Sequence, residues 1–239
     1  MEQALILAAG QGSRLNGAEG QPKCLTPVGD ETLIEYQVRN LMQLGFGRVG
    51  VVVGYRHEEV RRVLKDRVHY ITNTRYATTN SLYSLWLARD WIEGGFMLLN
   101  SDVLAHPGVF RRLAAAKNDA LAFDSTSGHE SEHMKVYSPK GVLRSIAKHL
   151  PLEMTSGENV GMLRFSASGA RKLFLAAEDL VAQGGENAWA PMAVDRLARS
   201  VPIECLNVAG LHWVEIDFPE DLIVVQERVW PRIAAGVTA

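Results

Sequence analysis

The chain has 239 residues, 47% of them hydrophobic, and a formal net charge of −2. A chain of this length can bury one sizeable core. The nearly balanced charge differs from the basic charge that is typical of nucleic-acid-binding proteins. Cys24 and Cys205 have neither metal-site nor redox spacing, which indicates a reducing compartment. The sequence has no leader of the secretory type and no apolar run of ~20 residues. We therefore expect a cytoplasmic protein with a single domain over residues 1–239 that binds neither nucleic acid nor a membrane.

The first part of the chain alternates between apolar runs and helical stripes. Apolar runs typical of strands occur at 3–8, 49–53, 68–72 and 96–99. Apolar residues recur at helical spacing over 32–45 and 57–66. Thr79 or Asn80 is suited to cap a third helix that reaches Trp91. This alternation of strands and helices predicts a parallel sheet with right-handed crossovers.

The middle of the chain has a different pattern. Short strand-like pieces at 120–123, 134–138, 142–147 and 160–165 are separated by Pro, Gly and Ser. We predict that residues 120–165 form a small antiparallel lobe on the sheet. Further helices are predicted between Ser166 and Gly184 and at 188–199 and 219–230, with strands at 201–207 and 212–216. The predicted class is α/β, with helices flanking a mostly parallel sheet.

The strand at 3–8 leads into a loop that contains two glycines. Gly10 and Gly12 are followed closely by Arg14, and then by Lys23. Glycines let the backbone approach a polyphosphate, whose charge Arg14 and Lys23 would neutralise. The spacing excludes a Walker A loop, and Leu15 stands where a dinucleotide fingerprint needs a third glycine. An ordinary strand-to-helix turn is the alternative interpretation.

Two aspartates follow predicted strands. Asp102 comes after the run at 96–99, and Asp217 comes after the run at 212–216. Ligands collect at the carboxyl ends of strands in open α/β sheets. Mg²⁺ takes one or two carboxylates together with substrate phosphates, so these aspartates are candidate magnesium ligands. The alternative is that each aspartate caps the element that follows it.

A polar helix start lies between these features. Thr79, Asn80 and Ser81 precede Leu82 and Leu85, which are spaced to face a core. The side chains and free N–H groups at such a start can bind a base edge or a ribose. The alternative is a capped amphipathic helix without a ligand.

These segments carry a resemblance to a known family. The start resembles the nucleotidylyltransferase signature L-A-A-G-x-G-S/T-R-L/M followed by P-K, although residues 15–21 lack the usual Pro-Leu-Thr. The stretch from Asn73 to Arg89 is similar to N-x-x-Y-x-x-T-N-S-x-x-S-L-x-x-A-R of the cytidylyltransferases that activate small phosphorylated alcohols or phosphonates. Residues 213–222 resemble their W-x-E-I-D-T-P-E-D-L segment. The resemblance covers most of the chain, and it implies a Rossmann-like, mixed and mostly parallel sheet flanked by helices, with the 120–165 lobe receiving the acceptor.

The resemblance also assigns roles to residues. It implies that Arg14, Lys23, Asp102 and Asp217 are catalytic and that Asp102 and Asp217 bind Mg²⁺. It implies a nucleotide site formed by Leu7, Ala8, Ala9, Gly10, Gln11, Gly12, Ser13, Arg14, Lys23, Thr79, Asn80, Ser81 and Ser101. It implies an acceptor site formed by Lys135, Lys148, Glu158 and Asn159. Glu215 and Asp221 would support the ligands or cap the next helix. Solvated surface lysines are the alternative for Lys135 and Lys148.

The implied reaction is transfer of a cytidylyl group from CTP to a small phosphate or phosphonate, with Mg²⁺ as cofactor and release of pyrophosphate. The nearest alternative is a sugar-1-phosphate nucleotidylyltransferase that uses UTP or another nucleotide. A glycosyltransferase usually holds its metal with an Asp-x-Asp pair, but the sequence around Asp102 has one aspartate. A non-catalytic nucleotide-binding regulator is the fourth alternative. We consider a homodimer as the assembly, which the sequence does not determine.

Overall fold

The computed structural model describes residues 3–17 and 20–236. Among these residues, a sheet of nine strands runs through the molecule. Its strands are β1 (Gln3–Ala8), β4 (Arg48–Val53), β5 (His69–Thr72), β6 (Phe96–Asn100), β8 (Ala120–Asp124), β9 (Lys135–Tyr137), β10 (Ser145–Ala147), β11 (Gly157–Phe165) and β12 (Glu204–Asn207). Their order is β10-β9-β11-β6-β1-β4-β5, with β8 beside β11 and β12 beside β8.

Short strands pair outside this sheet. They are β2 (Pro27–Val28) with β3 (Glu31–Thr32), and β7 (Val103–Ala105) with β13 (Trp213–Glu215). The antiparallel pair of β13 with β7 places Glu215 opposite Val103. The pairing draws a segment near the end of the chain to the strand that follows Asp102.

The helices cover both faces of the main sheet. They are α1 (Ser13–Asn16), α2 (Leu33–Gln43), α3 (His57–Leu64), α4 (Ser81–Leu87), α5 (Pro107–Ala115), α6 (Ala167–Ala182), α7 (Pro191–Ala198), α8 (Pro219–Val224) and α9 (Trp230–Ala234), with a π-helical turn at Val225–Val229. Alternate residues of β1 enter opposite cores: Ala4 and Ile6 pack with α2, while Leu5 and Leu7 belong to the cluster that includes α4 and α6. This two-sided burial explains why the strand has no polar face.

The predicted fold class is confirmed. The strand β1 is parallel to both β4 and β6, and β4 is parallel to β5. The antiparallel segment predicted at 120–165 joins the same sheet, because β11 pairs antiparallel with β6 over Met162 to Phe165. The lobe is therefore an extension of the main sheet.

Two predicted helices end differently from expectation. The helix after Asn80 ends at Leu87 rather than Trp91, because Ala88 and the residues after it form turns. The final helix is divided among α8, the π-helical turn and α9, where Pro231 occupies the first turn of α9. Within residues 3–17 and 20–236, no helix combines the length and the apolar character needed to cross a membrane.

The end of β4 is packed tightly against the glycine loop. The N–H of Tyr55 donates to the carbonyl of Ala9 at 3.1 Å. A Cβ on Gly54 would lie 2.7 Å from that carbonyl oxygen and 2.7 Å from Cβ of Tyr76. Only glycine therefore fits between the loop and the segment that carries Tyr76.

We predict that Gly54→Ala lowers the free energy of unfolding by about 1–3 kcal/mol, since the methyl group forces these backbones apart. Chemical denaturation measures this change. Gly94→Ala is the matched control, because a Cβ there meets no atom within 4 Å. Equal stability of the two variants would contradict the tight packing at Gly54.

Candidate active site

A cleft opens at the carboxyl ends of β1 and β6. The carboxyl end of β6 leads to Ser101 and Asp102, and that of β1 leads into the glycine loop. The cleft is lined by Leu7, Ala8, Ala9, Gly10, Gly12, Arg14, Pro22, Lys23, Cys24, Asn73, Tyr76, Thr79, Asn80, Ser81, Ser84, Asn100, Ser101, Asp102, Glu132, Met134, Lys148, Asn159, Trp189, Pro191, Glu215 and Asp217. Most residues of the predicted site therefore share one cavity, but Gln11, Ser13, Lys135 and Glu158 lie outside its lining.

The glycine loop is shaped by its second glycine. Gly12 has φ of 63°, in the left-handed region, and its carbonyl accepts from the N–H of Leu15 at 3.0 Å. A Cβ at Gly12 would overlap Cγ of Lys23. Gly12 thus serves two purposes, because it turns the chain into α1 and leaves room for the aliphatic stem of Lys23.

Two cations of the cleft converge on one carboxylate. Nη2 of Arg14 donates to Oδ2 of Asp217 at 2.6 Å, and Nζ of Lys23 donates to Oδ1 of the same residue. Nζ of Lys23 also lies 3.7 Å from Oδ2 of Asp102. The guanidinium of Arg14 lies 5.0 Å from the ring centroid of Phe218. The loop therefore directs both cations toward the aspartates that the sequence selects.

Three carboxylates meet beside these cations. One oxygen from each of Asp102, Glu215 and Asp217 lies within 4.8 Å of the other two. The N–H of Ile216 donates to the carbonyl of Asp102 at 2.9 Å, which connects the two chain segments. The carboxylate of Asp221 accepts from the N–H groups of Asp217 and Phe218, so Asp221 fixes the turn that holds Asp217.

The cluster has the chemistry of a site for a hard divalent cation. Oδ1 of Asp102 is buried and has no hydrogen-bond partner among the residues that the structure describes. Burial raises the pKa of Asp102, and burial together with the charges of Asp102 and Asp217 raises the pKa of Glu215 to about 8. Carboxylate oxygens are the ligands that Mg²⁺ prefers, and a cation would relieve their mutual repulsion. The three residues fit such an ion.

The polar helix start forms one wall of the cleft. The amide of Asn73 donates to Oγ1 of Thr79 and to Oγ of Ser84, both at 3.1 Å. Oδ1 of Asn80 accepts from the N–H of Ser81 at 2.8 Å, and Oγ of Ser81 accepts from the N–H of Ala190 at 2.8 Å. These hydrogen bonds fix the wall rigidly and attach it to the segment that carries Trp189.

The lining of the cleft also includes a lysine and an aromatic ring that contact each other. Nζ of Lys148 donates to Oε2 of Glu132 at 3.1 Å and lies 4.9 Å from the ring centroid of Trp189. Glu132 also lies 3.8 Å from Nη1 of Arg14. A chain of charges thus joins the glycine loop to Lys148. Asn159 also lines the cleft, and its buried Oδ1 has no hydrogen-bond partner within residues 3–17 and 20–236.

The other predicted acceptor residues, Lys135 and Glu158, are buried outside the lining of the cleft. Lys135 is only 4% exposed, so its interpretation as a solvated surface lysine is wrong. Its Nζ donates to the carbonyl of Lys148 at 2.7 Å, which holds the backbone of Lys148 in place. Glu158 accepts from Oγ of Ser127 and lies 3.3 Å from Nδ1 of His133. Lys135 and Glu158 support the segments that form the cleft, and their roles toward an acceptor stay predictions.

Sequence reasoning missed several lining residues. Glu132 and Trp189 lie in the segments 103–133 and 184–200, where the family resemblance is weakest. No local pattern singles out either residue, because each reaches the cleft through long-range packing. Glu215 had a signal, since it stands two positions before Asp217 and extended backbone directs such residues to the same side.

The fold and this cleft define a class: an α/β protein with a glycine loop beside a carboxylate cluster. Residues 4–179 match the MobA-like NTP transferase domain. The chain therefore belongs to the family of MobA-like NTP transferase domains.

Curated relatives are similar over parts of their length. The chain is 38% identical over 120 residues to the CMP-5′-(3-aminopropyl)phosphonate synthase of Streptomyces rubellomurinus, covering 48% of this chain and 19% of that protein. It is 31% identical over 241 residues to the bifunctional IPC transferase and DIPP synthase of Rubrobacter xylanophilus, covering 98% of this chain and 53% of that protein. It is 35% identical over 112 residues to the choline-phosphate cytidylyltransferase of Streptococcus pneumoniae, covering 46% and 48% of the respective chains. The chain thus spans about half or less of the length of these relatives.

Solved structures share the fold. The CTP:phosphocholine cytidylyltransferase of Streptococcus pneumoniae superimposes with a TM-score of 0.79 at 23% identity, covering 95% of this chain and 99% of that chain. The inositol-1-phosphate CTP transferase of T. maritima gives a TM-score of 0.80 at 22% identity, covering 100% and 98%. At these identities the likeness establishes the fold alone.

Buried Glu158 predicts a pH dependence of stability. Burial raises the pKa of Glu158 above its usual value of 4.5, against the opposing effects of Ser127 and His133. The folded state therefore keeps this proton to higher pH than the unfolded chain does. The free energy of unfolding should fall as pH rises from about 4.5 through the folded pKa, because deprotonation is easier in the unfolded chain.

We predict that Glu158→Gln removes this contribution, so that the free energy of unfolding falls less steeply as pH rises above about 4.5. Chemical denaturation at a series of pH values with EDTA present measures it. Glu153→Gln changes an exposed glutamate and is the control. A Glu158→Gln profile parallel to that of the unmodified protein would contradict the assignment.

Proposed function

We propose that this protein transfers a cytidylyl group from CTP to a small phosphate or phosphonate acceptor and releases pyrophosphate, with Mg²⁺ as cofactor. The observation that carries the proposal is the convergence of Arg14 and Lys23 on the cluster of Asp102, Glu215 and Asp217 at the glycine loop. The same cleft continues to Lys148, which offers a third cation. Triphosphate, metal and acceptor groups would thus meet in one cavity.

The proposed reaction is a displacement at the α-phosphorus of CTP. An oxygen of the acceptor phosphate forms the new P–O bond, and the bond from the α-phosphorus to the bridging oxygen of pyrophosphate breaks. The attacking oxygen is already anionic at neutral pH, so no side chain has to remove a proton. Bringing polyanions together and stabilising the leaving group are the main tasks, as in other phosphoryl-type transfers.

The residues of the cleft have distinct parts in this proposal. Arg14 and Lys23 bind the phosphates that leave as pyrophosphate, Arg14 with a planar fork and Lys23 with a point charge. Asp102 and Asp217, with Glu215 beside them, hold the metal. Bound Mg²⁺ would supply positive charge to the phosphate oxygens around the reacting phosphorus.

The nucleoside is assigned to the wall at α4. Thr79 and Ser81 already hold scaffold hydrogen bonds, so they set the shape of this wall, and Asn80 lines the cleft between them. The names of relatives support cytosine, because they include a choline-phosphate cytidylyltransferase and a CTP:phosphoglutamine cytidylyltransferase. A polar site that pairs with one base edge rejects another base by leaving its own groups unpaired.

We predict that CTP is the preferred donor, followed by UTP, and that both exceed ATP and GTP by about tenfold or more in kcat/KM. Pyrophosphate release measures this with a panel of aminoalkylphosphonates, phosphocholine, inositol phosphates and sugar 1-phosphates. Asp102→Ala is the control for chemistry at the cluster and should lose about two orders of magnitude or more in turnover. Preference for UTP with a sugar 1-phosphate would instead identify a sugar-1-phosphate nucleotidylyltransferase.

We predict that Lys148→Met raises KM for the acceptor about tenfold or more and leaves KM for CTP nearly unchanged, because an anionic acceptor needs a cation to approach another polyanion. Initial rates at varied acceptor and saturating CTP measure this. Lys172→Met removes an exposed lysine of α6 and is the charge-matched control. An unchanged acceptor KM in Lys148→Met would exclude this role.

A further inference from the structure

The ammonium of Lys23 lies inside the carboxylate cluster. It donates to Oδ1 of Asp217 and lies 3.7 Å from Oδ2 of Asp102. The side chain of Lys23 is only 13% exposed, whereas that of Arg14 is 47% exposed. Lys23 therefore offers a partly desolvated charge to the same oxygens that would bind a divalent cation.

The backbone holds this lysine in place. Lys23 begins a short 3-10 turn, Lys23–Leu25, whose other residues Cys24 and Leu25 are buried. Its stem passes against Gly12, where the absent Cβ leaves the necessary space. An anchored stem gives the ammonium few positions, and the one it takes is against Asp217.

Asp217 has cations on both oxygens. Oδ1 accepts from Lys23 and Oδ2 accepts from Arg14 at 2.6 Å. A divalent cation that takes an oxygen of Asp217 as ligand would be brought close to a positive side chain. Like charges at such distances repel one another, and the repulsion is stronger where solvent is partly excluded. The two side chains and the ion thus compete for one carboxylate.

We propose that Lys23 is the resident counter-ion of the carboxylate cluster and that it couples metal binding to triphosphate binding. The inference rests on the proposed function, because it takes the cluster as a metal site and Lys23 as a phosphate ligand. Phosphate oxygens draw Lys23 and Arg14 away from Asp217, and the vacated oxygens then bind the ion. Without a triphosphate, the lysine keeps the affinity for the ion low. The coupling is reciprocal, so the metal strengthens triphosphate binding by the same factor.

The test is Mn²⁺ binding to the full chain without nucleotide or acceptor, measured by electron paramagnetic resonance of free Mn²⁺. Lys23→Met should bind Mn²⁺ about fivefold or more tightly than the unmodified protein, since a competing charge is gone. Lys148→Met is the charge-matched control: it also loses a cation of the cleft, but one that pairs with Glu132. Its affinity should stay within about twofold of the original.

Equal or weaker Mn²⁺ binding by Lys23→Met would overturn the proposal, as would an equal gain in Lys148→Met. Asp102→Ala separates this failure from that of the proposed function. If Asp102→Ala binds Mn²⁺ as tightly as the unmodified protein, the ion lies elsewhere. Both the counter-ion role of Lys23 and the metal site of the proposed function then fail. If Asp102→Ala loses binding but Lys23→Met gains nothing, only the counter-ion role fails.

Thermal unfolding provides a second readout that does not require titration of Mn²⁺. Removal of Lys23 takes its ammonium away from Asp102 and leaves Asp217 paired with Arg14 alone, so Lys23→Met should have a lower Tm without metal. Because ligand binding to the folded state stabilises it, Mg²⁺ should raise the Tm of Lys23→Met more than that of the unmodified protein. Lys23→Gln, which keeps a hydrogen-bond donor, should show the same order if Lys23→Met folds poorly. Equal Mg²⁺-dependent shifts in all variants would contradict the proposal.

Discussion

Attraction between the carboxylate cluster and the cations of the glycine loop is the interaction on which the cleft depends. The carboxylates of Asp102, Glu215 and Asp217 lie close enough to repel one another. Burial, together with this repulsion, raises the pKa of Glu215 to about 8. Lys23 and Arg14 balance this repulsion from the side of the loop. Their attachment to Asp217 also connects the first strand of the chain with a segment near its end. The same ion pairs thus balance the charge of the carboxylate cluster and hold two distant chain segments together.

The sheet determines where these charges meet. The strands β1 and β6 are parallel neighbours, so the loop that follows one lies beside Asp102, which follows the other. The short β13 pairs with β7 and places Glu215 opposite Val103, immediately after Asp102. Asp221 then fixes the turn at Asp217 by accepting from two backbone N–H groups. Backbone pairing thus brings the three carboxylates of the cluster together.

Much of this arrangement could be predicted from the sequence, because its signals are local. The strand at Gln3–Ala8, the glycine loop and the two strand-end aspartates are each contained within a few residues. The part of the cleft around Lys148 could not be predicted in the same way. Glu132 and Trp189 contact Lys148 through tertiary packing, and neither residue belongs to a local sequence pattern. The burial of Lys135 could not be predicted either, because lysines are usually exposed. This lysine is buried and donates to the carbonyl of Lys148, a contact that the sequence does not reveal.

In our proposal the cluster exchanges a lysine for a metal ion when the triphosphate binds. A crystal structure of the full chain with Mn²⁺ and CTP would show this exchange, because anomalous scattering locates the ion independently of the side chains. We expect an Mn²⁺ peak in contact with Asp102 and Asp217, and an ammonium of Lys23 that has moved from Asp217 to a phosphate oxygen. An Mn²⁺ peak away from the cluster, or a Lys23 still bonded to Asp217 beside bound CTP, would contradict it.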